Sequence, residues 1–306
     1  MLGRRRRGQL LACGSTVLLA ALMPVGVAHA APAGSAKTAS CDPAVPFGSE
    51  DFGDPTRIDN EYLPMVPGTR LTYEGNVHAG SGTTPHQVAF TVTDMTKVID
   101  GVRTRVVYDV DSDGGQVLEA ELAFFAQSDA GNVWNLGEYP EEYENGVFSG
   151  APSVWIAGLD GASGGIHMLA DPEARANRQV EYLQGSAPAI DFLDCAQVAA
   201  IDGRVTVPAG EFSDVLTTHE RSPLEAGSAV QLKDHAPGVG IVRISAINDP
   251  QAETLKLVEI AHLTPWEMAA VDVAVLKLDW HGHQVSDVYR QTPQARLDPS
   301  WFHRDH

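Results

Sequence analysis

The stretch VRTRVVYDVDSDGGQVLEAELAFF, Val102 to Phe125, decides how this chain folds. Thr104, Val106, Val107 and Tyr108 suit a pleated, half-buried surface. The cluster Asp111-Ser112-Asp113-Gly114-Gly115 reads as a turn, and Val117 to Phe125 returns as a second strand. That is a β-hairpin. Working outward, Leu71 and Tyr73 and then Val88, Phe90 and Val92 alternate with polar residues, again with period two. Downstream, Ser128-Asp129-Ala130-Gly131 forms the next turn, and Val133 to Leu136 the next strand.

The pattern then recurs. A shift of 109 residues carries Tyr73 onto Tyr182, Val98 onto Val207, Gly101 onto Gly210, Val106 onto Val215, Ala120 onto Ala229, Gly131 onto Gly240 and Val133 onto Val242. Glycines that recur at turn positions mark recurring backbone requirements. The expected fold is mainly β: two tandem, related antiparallel units, as curved sheets or half-barrels, plus a C-terminal helix. Thr264-Pro265-Trp266-Glu267 supplies that helix with a capping box and a proline at its first position. Trp266, Ala269, Ala270, Val273 and Leu276 give it one apolar face, and Gly282 is expected to stop it.

The N-terminus carries Arg4 to Arg7, an apolar stretch from Leu10 to about Val27, and Ala28-His29-Ala30. This order is that of a cleaved secretory signal. The expected organisation is a signal over 1–30, a flexible leader over 31–50, a first β unit with its connection over 51–150, a second β unit over 151–262, and a helix with a polar tail over 263–306. No membrane span is expected after cleavage. The net charge of −19 argues against nucleic acid as a partner. Cleavage removes Cys13 and leaves Cys41 and Cys195, an expected disulfide in an oxidising compartment.

Four groups invite chemistry. Asp109, Asp111, Asp113 and Gly114 begin like a calcium loop, but the twelfth position is Ala120, with Glu119 and Glu121 beside it. A hairpin turn is the preferred reading. His281, His283, His303 and His306 crowd the C-terminus near Asp279, Asp287 and Asp305, with nothing to make them converge, so no metal or cofactor is expected. Gly161-Ala162-Ser163-Gly164-Gly165 satisfies the bare nucleophile-elbow pattern without the α/β context it needs. Glu138, Glu141, Glu142 and Glu144 sit among Trp134, Tyr139 and Tyr143, which suits either a glycosidase cleft or an exposed acidic loop.

Several segments together resemble a family of exported bacterial proteins carried as hypothetical. They are Ile58-Asp59-Asn60-Glu61-Tyr62-Leu63-Pro64 with Pro67-Gly68-Thr69, Thr84-Pro85-His86 through Val98-Ile99-Asp100-Gly101-Val102, Ala126 through Glu138, and His235-Ala236-Pro237-Gly238-Val239-Gly240. The resemblance implies export and brings no activity or catalytic residue. More distantly, the unit ending in Pro-Gly-Val-Gly is similar to the curved sheets of periplasmic lipoprotein-carrier-like proteins.

The leading expectation is a non-enzymatic extracytoplasmic protein that binds a small molecule or lipid. The alternatives are a hydrolase acting on envelope or extracellular carbohydrate or ester, and an envelope structural or interaction protein. A ligand is expected at the mouth of an open concave face, lined by Trp134, Glu138, Tyr139, Tyr143, Trp155 and Asp160.

Overall fold

In the computed structural model the described residues are 11–12, 15–16, 41, 46–48, 51–79, 82–176, 180–224, 229–249 and 252–298. The cleavage motif at 28–30, most of the leader, and His303, Asp305 and His306 lie outside them.

Twelve strands build one wall. They are β1 (Thr69–Ala79), β2 (Gly82–Ile99), β3 (Val102–Asp113), β4 (Gln116–Gln127), β5 (Val133–Glu144), β6 (Ser163–Met168), β7 (Tyr182–Ala187), β8 (Phe192–Val207), β9 (Gly210–Arg221), β10 (Val230–Ala236), β11 (Gly240–Ile247) and β12 (Thr254–His262). Each pairs antiparallel with the next, and β12 pairs back onto β1 from Thr254↔Asn76 to His262↔Thr69. The result is a closed twelve-strand antiparallel barrel with a C-terminal helix. This corrects the expectation of two tandem curved sheets or half-barrels. Closure leaves no strand edge unpaired around the wall. There is therefore no open concave face of the kind expected for the ligand.

The 109-residue shift lays β2 over β8 and β3 over β9. The two sets of strands are consecutive arcs of the same wall, and neither closes on itself. The hairpin read from Val102 to Phe125 is present. Its turn is Gly114-Gly115, both with positive φ, and the strands run on to Asp113 and back from Gln116. Outward positions on β1 and β12 carry Arg70, Thr72, Glu74, Lys256 and Glu259. At these two strands the outer face is largely polar. No described helix is long and apolar enough to cross a membrane.

Residues 51–66 fold against one end of the barrel, and Asn60 anchors them. Its Nδ2 donates to Gly131 O (3.1 Å) and Leu169 O (3.0 Å), and its Oδ1 accepts from the backbone N–H of Tyr62 (3.0 Å) and Leu63 (3.1 Å). Asn60→Ala leaves these backbone groups buried without partners. We expect it to cost about 2–4 kcal/mol, measured as a lower denaturant midpoint with an unchanged slope.

Cys41 is bonded to Cys195 on β8, with Cα atoms 5.8 Å apart and 154 residues between them. The C-terminal helix spans Pro265–Val285 and begins with the expected capping box. Its apolar face is not the expected one. Met268, Val271, Val275 and Leu278 are buried against the outer wall, while Trp266 is 88% exposed and Val273 and Leu276 also face water. Gly282 does not stop the helix. It lies within it, where an added Cβ would stand 2.7 Å from the rings of both Tyr139 and Tyr289. The helix can approach the wall there because it lacks a side chain.

Polar contacts fix the same docking. Lys97 on β2 donates to Asp279 Oδ1 (2.7 Å), and Tyr289 donates to the same oxygen (2.8 Å). Burial pulls Lys97 down to about 8 against the opposing charge of Asp279.

Candidate functional site

Period-two alternation along β5 splits the residues expected to share one mouth. Trp134 faces outward and packs edge-on against Phe47, with centroids 5.3 Å apart, and against Phe52 at 6.4 Å. Tyr139 and Tyr143 also lie on the outer wall, where both hydroxyls donate to Glu141. His281 of the helix reaches the same carboxylate through Nδ1 at 2.6 Å. Glu138 points the other way, into the lumen. It accepts from Asn135 Nδ2 (2.6 Å) and from Trp155 Nε1 (2.9 Å). Asp160 is exposed in a turn with φ 48°. The structure thus brings Glu138 and Trp155 together inside and Tyr139 and Tyr143 together outside. Trp134 and Asp160 join neither pair.

Glu138 belongs to a larger set. Asp109 and Asp111 on β3 stand opposite Glu121 and Glu119 on β4, in the pairs Asp109↔Glu121 and Asp111↔Glu119. Directly opposed residues of an antiparallel pair project from the same face. All four are at most 4% exposed. Asp194 on β8, Glu220 on β9 and Glu253 ahead of β12 are buried as well. Lys233 and His235 on β10, His167 on β6 and His86 on β2 complete the set. Lys233 stands across the ring yet bears electrostatically on Asp109, Glu138 and Glu253, which places these groups around one lumen.

Burial dominates the titration of the acids, because a charge inside the wall loses its hydration. It lifts Asp109 to about 7 and Glu119 to about 8. Glu138 also rises to about 8, despite the hydrogen bonds from Trp155 and Asn135 that favour its charge. Asp111 and Glu121 go well above the usual carboxylate range, first from burial and then from their acidic neighbours. Glu220 is the exception. Burial opposes its charge, but Lys233 Nζ at 2.6 Å overcomes this and holds it near about 2. Burial also opposes a charge on His86, yet Asp113 at 2.8 Å and Glu253 at 3.1 Å raise it to about 10. His167 and His235 are pushed down to about 4, chiefly by burial.

Several lumen atoms have no hydrogen-bond partner among the described residues: both carboxylate oxygens of Asp111, one each of Asp109 and Glu121, the Tyr182 hydroxyl and His235 Nδ1. Buried polar groups are normally satisfied, so each such exception calls for a cause. Asp111 and Asp113, read in sequence as part of the hairpin turn, are with Asp109 alternate residues of a strand that runs on to Asp113. Their spacing at i and i+2, answered by Glu119 and Glu121, was the available signal. What hid them is that both faces of β3 and β4 are buried, one by the lumen and one by the helix.

Strand β6 is the narrowest part of the wall. It pairs with β7 at Ser163↔Ser186 and Gly164↔Gly185, and with β5 at three positions broken by a register shift. Few ladder bonds mean a low local opening free energy. In native-state hydrogen exchange the amides of Ser163–Met168 should therefore exchange by local opening, well before those of β2 and β3. Equal protection of the three strands would contradict this.

No protein-family model and no curated protein matches the chain. Two solved structures are similar. One is assigned as an exported protein with a YmcC-like fold from Bacteroides fragilis, at 15% identity and TM-score 0.36. The other is assigned as a lipoprotein from Parabacteroides distasonis, at 14% identity and TM-score 0.34. Each similarity covers 66% of this chain and 99% of the other.

Proposed function

We propose that this is an exported, non-enzymatic binding protein whose barrel lumen holds a small polar molecule. The observation that carries the reading is the set of buried lumen groups without partners, above all Asp111, whose two carboxylate oxygens both lack one. A wall evolved only for stability gains nothing from such groups, since each costs about 1–3 kcal/mol when left unsatisfied. A ligand that pairs with them returns that cost as affinity. The acidic lining favours a polar ligand over a lipid. Export is supported by the arginine-led apolar N-terminus and by the Cys41–Cys195 bond, which suits an oxidising compartment. We read the 109-residue period as the trace of a duplicated run of strands within the one barrel, since β2 falls over β8 and β3 over β9.

The test is native mass spectrometry of the protein purified from the medium or envelope of its own host. The expected result is a stoichiometric small molecule that leaves on unfolding. A mature mass with no adduct under conditions that preserve the fold would contradict the proposal.

A further inference from the structure

We infer that Asp109, Asp111, Glu119 and Glu121 form a site for an organic polycation, a molecule bearing two or more ammonium groups. This rests on the reading of the barrel as a binding protein and names the ligand class of the same lumen.

The four carboxylates form a two-by-two lattice on adjacent strands. Cross-strand neighbours lie about 5 Å apart and alternate residues of one strand about 7 Å apart. Lys233 neutralises Glu220, and Asp113 and Glu253 neutralise His86. His86 and Lys233 act on the lattice at longer range, His86 on Asp109 and Asp111 and Lys233 on Asp109, and burial still outweighs them. Asp111 is 2% exposed with both oxygens unpartnered, and Glu121 Oε2 and Asp109 Oδ1 are likewise without partners. A carboxylate so placed is strongly destabilised unless a cation or a proton joins it.

The arrangement also says which cation. Among the described residues, no three His, Cys, Asp or Glu side chains converge on a point fit for a metal ion. Four carboxyl groups spread over a patch match positive charges spread along a flexible chain, which can take the place of the protons that burial keeps on them. An ammonium group offers up to three N–H donors, and the oxygens of Asp111, Asp109 and Glu121 that make no hydrogen bond can accept them. The groups facing this patch from other elements are His86 on β2, Glu138 and Glu142 on β5, Lys233 on β10 and Glu253 ahead of β12. Protons and polycation compete for the same oxygens, so binding should tighten as pH rises from 6 to 8.

The probes are spermidine, calcium chloride and sodium chloride at matched ionic strength. The readouts are the thermal midpoint and titration calorimetry on the full mature chain, at pH 6 and pH 8. The expected result is saturable stabilisation by spermidine, stronger at pH 8. In the D111N/E121Q double variant the apparent Kd should weaken by at least about tenfold. The variant keeps the side-chain shapes and puts neutral amides where buried carboxyl groups lack partners, so it should fold at pH 8 at least as well as the wild type.

An equal response to sodium chloride, or an equal response in the variant, assigns the effect to the acidic surface and overturns the inference. Stronger stabilisation by calcium overturns the polycation class. A neutral or anionic molecule co-purified from the host, with no spermidine effect, defeats this inference while the binding-barrel reading stands. No adduct and no response defeat both.

Discussion

Between pH 5 and pH 8.5 the thermal midpoint of the ligand-free protein should fall by at least about 10 °C. Asp109, Glu119 and Glu138 titrate near about 7, about 8 and about 8 in the folded chain, each raised foremost by burial. A folded pKa above the unfolded value gives stability that is complete below the unfolded pKa. That stability is lost as pH rises through the folded value. For these acids the window runs from about pH 4 to about pH 8. Three shifts of this size amount to something on the order of 10 kcal/mol, and even half of that rivals the net stability of a whole domain. His86, raised to about 10 by Asp113 and Glu253 against burial, acts in the same direction, with its loss falling between pH 6.5 and 10.

His167 and His235, lowered to about 4, act the other way. Their stability is present above about pH 6.5 and is lost as pH falls toward 4. They offset part of the decline below pH 6.5, so the fall is steepest above it. Glu220, held near about 2, loses its contribution only in stronger acid. Differential scanning calorimetry across pH 4 to 9 checks the shape. A midpoint that rises or stays flat from pH 6.5 to 8.5 would contradict the placement of these acids.

Gly75→Ala should be the most damaging single replacement in the wall. A Cβ at Gly75 would stand 1.5 Å from the carbonyl oxygen of Thr254, at the pair of strands that closes the barrel. Both obstructing groups are backbone, so no rotamer change relieves the clash. The strands must separate, and with them the register that sets His86 beside Glu253. We expect a loss above about 4 kcal/mol, in the range reserved for severe core lesions, or no folded product. Gly282→Ala is milder. Its Cβ meets the edges of Tyr139 and Tyr289, and the helix can shift, at a cost of about 1–3 kcal/mol. Urea unfolding of both variants against wild type orders the two effects. Near-wild-type stability of Gly75→Ala would mean that β1 and β12 do not meet as described.

The sequence was legible where the physics is local. Alternation from Val102 to Phe125, the glycine turn between its strands, the Thr264 capping box and the lone cysteine pair all act over short distances or by elimination. Closure was not legible. It depends on Thr254–His262 finding Thr69–Asn76, and nothing within either segment names its partner. Without closure, Glu138 could not be assigned to an inside or Tyr139 to an outside. The helix misled for a related reason. The stripe read from the sequence, Trp266 with Val273 and Leu276, faces water, and a second apolar stripe, Met268, Val271, Val275 and Leu278, docks instead. The docked face includes Asp279 and Gly282, which hydropathy discounts but which Lys97 and the two tyrosine rings require. The lumen acids were visible as acids. Their burial was not, because polar residues at alternate positions ordinarily mark the solvent face of a strand.

The central claim is that a cluster of carboxyl groups lies buried and facing inward in a closed barrel. Carbon-13 NMR titration of the Asp and Glu carboxyls in the folded mature chain tests it most directly. Several resonances should titrate above about pH 6.5, far from the usual carboxylate range near 4, with D109N and E119Q each removing one. A spectrum in which every carboxyl titrates below about pH 5 would contradict it.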